Sequence, residues 1–249
     1  ERTDTIDRSI SALDTLASRV IFEVNKIHST GVGASWLRST SGSLQFQTAD
    51  RSLALNDPAN TAIASLPFRP NNGGFSVNVR NTVTGTVSTV RIDVDLDGIT
   101  AAGTAGTADD TSAQDIRDAL DAVAGLAASF DPSGKLVVEA DAGFEFSFAD
   151  DSSAALATLG LNAYFTGSNA RDIAVASDLD QNPDLLAVGS WDGTTLVENG
   201  SALLIASLST KRLDNLGSRT LIESWRDHVT VVASASSAAS IQAESATVV

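Results

Sequence analysis

Apolar residues near the start of the chain recur at alternating spacings of four and three: Ile6, Ile10, Leu13, Ala17, Val20, Val24 and Ile27. That spacing is the a/d stripe of a coiled coil, and it predicts one helix from about Thr3 or Asp4 to Ser29. Thr3, Asp4 and Thr5 are candidate caps, and Asp7 suits the positive end of the helix dipole. His28 in the last turn and Gly31 just beyond it mark the other end. At about 1.5 Å per residue such a helix is roughly 40 Å long. Its stripe gains stability only if a second helix covers it. Two later segments offer that cover. The first runs from Gly200 to about Leu213 (Ala202, Leu203, Ile205, Ala206, Leu208). The second runs from Arg219 to about Ala243, with Leu221, Ile222, Trp225, Val229 and Val232 on one face and Trp225 expected in the core.

Between the helical ends the apolar period changes to two, the period of a strand with one buried face. Phe75, Val77 and Val79 alternate with polar residues, as do Val90, Ile92, Val94 and Leu96, with Asn81 to Gly85 as the turn between them. Thr111 to Leu126 reads as a helix (Ile116, Leu120, Val123) capped by Thr111 or Ser112. Leu136 to Glu139 and Phe144 to Phe148 read as a second strand pair joined through Asp141, Ala142 and Gly143, followed by a short helix from Ser152 to Leu159. The stretch from Trp36 to Asn72 has weaker strand signals (Leu44, Phe46) among prolines and glycines. The expected fold class is therefore α+β: a multi-helix, coiled-coil-like rod interrupted by an inserted domain of antiparallel sheet plus helix. Residues 1–36 and 164–249 would form the discontinuous rod, and residues 37–163 the insertion.

Charge narrows the functions open to such a molecule. Lys and Arg number 16 against 31 Asp and Glu, a formal net charge of −15. Phosphate backbones and anionic membranes bind through basic side chains, so neither is expected as a partner. No basic-then-apolar leader opens the chain. With no Cys, thiol chemistry, disulfides and Cys-ligated metals are excluded. The absence of Met, together with a start already inside a helical pattern, points to a piece of a longer protein. Aromatic residues are only 5% of the chain, which leaves few stacking platforms for sugars or bases.

The candidates for chemistry are few. Asp93, Asp95, Asp97 and Gly98 match the opening of a calcium loop, but its twelfth position is Thr104 rather than Glu, and the segment leaves a strand. The segment is therefore read as a strand with an acidic outer face ending in an Asp-Gly turn. His28 and His228 sit on helices without clustered acids, and no Gly-x-Ser-x-Gly elbow occurs. No catalytic, cofactor-binding or metal-ligating residue is assigned, and no cofactor is expected. The chain reads as a non-enzyme. A rival reading is an extracellular module that binds calcium or a glycan through Asp93, Asp95 and Asp97. Trp191, in the turn-like Ser190-Trp191-Asp192-Gly193, is expected to pack on its own loop.

Several blocks together resemble a known family. Leu13-Asp14-Thr15-Leu16-Ala17 and Val24-Asn25-Lys26-Ile27-His28-Ser29-Thr30-Gly31 look like the first helix of bacterial flagellar hook-associated protein 1, the hook–filament junction family. Leu159 to Gly167, Asn169 to Val175, Asn182 to Ala187 and the segment Asn199 to Leu208 continue in the same order. In that family the helical rod is the D1 domain and the β-rich insertion is the outer D2 domain. The resemblance implies a structural protein, exported unfolded through the flagellar channel without a cleaved signal and located outside the cell. Its implied partners are the hook protein, the next junction protein and further copies of itself in a ring. The family's terminal, channel-lining helices are missing from these 249 residues, which implies that the piece itself is monomeric. In the later helix, Trp225, His228, Val229 and Ala233 replace the family's usual Tyr-x-x-Leu-Val and Gly.

Overall fold

A computed structural model describes residues 2–191 and 193–247, and for residues 2–5, 246 and 247 the backbone alone. A long helix, α1 (Arg2–His28), leads to β1 (Gly31–Val32), β2 (Ser39–Gln45) and the single turn α2 (Thr61–Ala64). Then come β3 (Gly73–Asn81), β4 (Val87–Val94), α3 (Ala113–Asp121), β5 (Leu126–Phe130), β6 (Lys135–Ala140), β7 (Phe144–Ala149) and α4 (Ala155–Leu159). The chain ends with β8 (Phe165–Thr166), β9 (Ala174–Val175), α5 (Ser177–Gln181), β10 (Gly189–Trp191), β11 (Leu196–Val197), α6 (Gly200–Ser207) and α7 (Leu221–Thr247).

Two three-stranded antiparallel sheets carry the main core, β4-β3-β7 and β2-β6-β5. Alternation decides which side chains enter it. Phe75, Val77 and Val79 of β3 and Phe146 and Phe148 of β7 are fully or almost fully buried. They join Leu126 and Ala128 of β5, Leu136 and Val138 of β6, Ile116 and Leu120 of α3, and Leu156 and Leu159 of α4 in one cluster. The opposite face of β3 is covered too, and its polar residues pair with those of the neighbouring strands. Thr89 donates to Asn78 Oδ1 at 2.7 Å, and Arg80 is ion-paired with its cross-strand neighbour Glu145. The other two sheets are small, β1-β10-β11 and β8-β9.

Local turn and cap chemistry explains the hairpin and the central helix. Asn81 Oδ1 accepts from the amides of Val83 and Thr84, and Gly85 takes a left-handed φ of 72° to turn β3 into β4. Ser112 caps α3 in a reciprocal capping box with Asp115. The helix expected to reach Leu126 stops at Asp121, and Leu126 opens β5 instead. Gly125, at φ 90°, turns the chain after the helix, and the Ala128 amide donates to Asp121 Oδ1. At the far end of β5, Asp131 Oδ1 accepts from Ser133 Oγ and the Lys135 amide, and Gly134 follows at φ 90°, so β5 and β6 form the hairpin. The strand pair expected between residues 136–139 and 144–148 does not form. β6 pairs with β2 and β5, while β7 crosses to β3.

The larger correction concerns the rod. The mixed α+β character fits, but among the described residues there is no extended coiled coil. α7 touches α1, yet Ile222, Trp225, Val229, Val231, Val232 and Ile241 are all exposed, Val231 by 61%. On α1 the buried stripe is Ser18, Ile21, Phe22, Asn25 and His28, next to the expected seam rather than on it. Ala17, Val20, Val24 and Ile27 are half-buried, and Ile6 is exposed. The buried stripe packs on a satellite cluster of Phe68, Ala154 and Ala157, where Phe22 stacks on Phe68 with ring centroids 4.9 Å apart. The buried stripe thus docks on loops and on α4, and its polar residues serve that purpose.

Candidate functional site

Three residues of α1 and β1 fasten the returning chain. Asn25 Oδ1 accepts from the amides of Tyr164 (3.0 Å) and Phe165 (2.9 Å), and its Nδ2 donates to the Phe165 carbonyl at 2.8 Å. A buried amide side chain can satisfy a strand's donors and acceptor at once, and Asn25 does so here. His28 is fully buried. Its Nε2 accepts from the Ala187 amide at 3.0 Å, which leaves Nδ1 to carry the proton and donate to the Asn162 carbonyl at 2.8 Å. Burial pushes its pKa below the ordinary value of 6.5, and the bond to Asn162 opposes that shift. Asn162 Nδ2 in turn donates to the carbonyls of His28 and Ser29. At Gly31 an added Cβ would meet Ser201 Oγ at 2.6 Å and Ala187 Cβ at 2.7 Å, so no side chain fits. Asn25, His28 and Gly31 are therefore one junction, each reading a different part of residues 162–201.

The seam residues expected to meet across two helices are not all brought together. Leu221 is half-buried, whereas Trp225 (47%), Val229 and Val232 are exposed, contrary to the core position expected for Trp225. Leu203 (69%) and Leu204 of α6 also face outward. α6 and α7 therefore present apolar side chains along two consecutive helices, with α7 alone 27 residues long. The contact between this region and α1 is partly polar, with Lys211 paired to Glu23 at 2.8 Å. Trp191 packs edge-on against Trp36, centroids 5.4 Å apart, and Trp36 lies under the Arg80 guanidinium at 4.6 Å. Its neighbour Asp192, part of the same turn-like quartet, lies outside the described residues, as do the side chains of the expected caps Thr3, Asp4 and Thr5.

The acidic stretch after β4 also differs from the expected loop. Asp93 stays on the strand, its exposed carboxylate 3.5 Å from Arg91. Asp95 and Asp97 come together with Asp110 instead, one carboxylate oxygen of each lying within 4.8 Å of the others. The intervening chain folds back on itself. Asp95 N donates to Thr111 Oγ1, Thr111 N to the Asp95 carbonyl, and Gly106 N to the Gly98 carbonyl. Spacing alone could not single out Asp110, because the closure depends on this loop. Two surface clefts, about 100 and 350 Å³, lie at β2 with α5 and beside α1, and neither lining contains a histidine.

The fold places the chain among α+β proteins built from small antiparallel sheets. No family model and no curated protein matches it. Among solved structures it is similar to the D1-D2-D3 domains of the flagellar cap protein FliD from Escherichia coli. The identity is 11% and the TM-score 0.26, over 93% of this chain and 72% of that one. Similarity of that degree carries no argument about architecture or role.

Proposed function

We propose that this chain is part of a non-enzymatic structural subunit of the bacterial flagellum that joins the hook to the filament. Its neighbours would be the hook protein, the next junction protein and further copies of itself in a ring. Residues 37–163 would form the outer, inserted domain, outside the cell, after export without a cleaved signal. The observation that carries this reading is the exposure of apolar side chains on both α6 (Leu203, Leu204) and α7 (Trp225, Val229, Val232). Exposed apolar surface of that extent marks a site of association, and a face along a helix about 40 Å long suits lateral contact between subunits. The ordered sequence blocks that resemble the junction family support it independently, since Asn25, His28 and Gly31 among them form one structural unit.

The test uses the full-length parent protein, tagged and expressed in flagellated cells lacking it. The protein is expected at the hook tip by immunogold electron microscopy, with filament growth restored. Trp225→Asp combined with Val229→Asp is expected to abolish incorporation while leaving the circular dichroism of the 249-residue chain unchanged. If the unaltered full-length protein never locates to hook tips, the proposal fails.

A further inference from the structure

The acidic loop holds more than a chance meeting of surface charges. Asp110 is 5% exposed, and its carboxylate is turned into the cluster with Asp95 and Asp97. Its Oδ2 accepts from Asn56 Nδ2 and, at 3.2 Å, from the Gly98 amide. Its Oδ1 is buried and has no donor. The Oδ1 of Asn56, the residue bonded to Asp110, is also buried without a donor. Burying an acceptor with nothing to satisfy it is costly, and burying a carboxylate oxygen beside two further carboxylates is more so. A cation held by these carboxylates would satisfy the buried Asp110 oxygen and offset the repulsion among the three acids.

We propose that Asp95, Asp97 and Asp110, with Asn56 beside them, form a calcium site that fastens the 95–111 loop to the segment around Asn56. The ligand set is all oxygen, as a hard cation requires. The spread of the three carboxylates, within 4.8 Å, is no wider than two oxygens on opposite sides of calcium at about 2.4 Å. Magnesium demands a strict octahedron at about 2.1 Å and keeps several of its waters, so three protein carboxylates around one ion suit it less well. The backbone already holds the loop in shape. Asp97 Oδ1 accepts from the Ile99 amide at 2.7 Å, Asp95 Oδ1 from the Asp97 amide, and Thr107 Oγ1 donates to Asp57 next to Asn56. Little chain has to be ordered when the ion binds. This site is independent of the flagellar reading.

Calcium binding to the chelator-treated chain can be measured by competition with a chromophoric chelator, and thermal melting followed in calcium, magnesium and sodium chloride at equal ionic strength. One calcium per chain is expected, with a saturable rise in Tm that equal ionic strength of sodium chloride does not reproduce. Asp97→Asn and Asp95→Asn alter exposed groups and leave the fold intact, and each is expected to weaken binding about tenfold or more, because affinity follows ligand charge. Asp110→Asn, which replaces a buried group, is read by binding only if its circular dichroism is unchanged. An unchanged Tm in calcium would overturn the proposal. So would equal binding by wild type and the Asp95→Asn/Asp97→Asn variant, since that would be general attraction to a chain of net charge −15. Magnesium binding as tightly as calcium would overturn it as well.

Discussion

Replacing Asn25 with alanine removes three hydrogen bonds between α1 and the strand that begins at Phe165. The amides of Tyr164 and Phe165 lose their acceptor, and the Phe165 carbonyl loses a donor. Each net hydrogen bond contributes about 1 kcal/mol, so the three together give a loss of about 3 kcal/mol. For a chain of this size a change of 1 kcal/mol shifts Tm by about 2–4 °C, so the variant is expected to melt about 6–12 °C lower. Urea unfolding gives the free energy, and native-state hydrogen exchange locates it. Protection should fall first at Tyr164 and Phe165, while the β3–β7 core keeps its own. Asn25→Asp provides a second reading, because it keeps the acceptor for both amides and loses the donor to the Phe165 carbonyl. A loss below about 0.5 kcal/mol for Asn25→Ala, the scatter of ordinary surface changes, with unchanged exchange at Tyr164 and Phe165, would refute the assigned role.

His28 makes stability depend on pH. Its folded pKa lies below its unfolded value, so below about pH 6.5 the unfolded chain takes up a proton that the native site resists. The contribution is complete above that pH and is lost as pH falls through it toward the folded value. The wild-type urea midpoint should drop between pH 7.5 and pH 5 by more than that of His28→Gln, and equal drops would contradict this. Gly31→Ala places a Cβ 2.6 Å from Ser201 Oγ and should cost about 1–3 kcal/mol by overpacking, measured by urea unfolding. Phe146→Ala removes a fully buried ring and should cost about 3–5 kcal/mol in the same assay. Trp225→Ser, at a half-exposed position, should cost less than about 1 kcal/mol, whereas a core tryptophan would cost about 3–5.

The sequence was most legible where local chemistry and periodicity agree. β3, β4 and their Asn81–Gly85 turn, and α3 with its Ser112 cap, follow from alternation and capping alone. The destination of β7 does not, because the Asp141–Gly143 turn suits a hairpin as well as a crossover, and only long-range packing of Phe146 and Phe148 decides between them. The inner face of α1 was hidden for a different reason. Counting apolar side chains favours Val20 and Val24 over Ser18, Asn25 and His28, although these polar residues are buried, Ser18 bonded within the helix and Asn25 and His28 to distant loops. The spacing of Asn25, His28 and Gly31 was visible, but its role was not, because the partners lie at residues 162–201. Asp110 escaped notice likewise, since it reaches Asp95 and Asp97 only when the intervening loop closes.

The bonds from Asn25 and His28 to Phe165 and Asn162 span 140 and 134 residues. Contacts of such separation form slowly and late, because loop entropy is paid before they reward it. During synthesis or refolding, Phe68 is available to the leading helix early, but Asn25 and His28 lack their partners until residues 162–187 emerge. The Asn–His–Gly triplet is then a latch that closes only once both halves of the polypeptide are present.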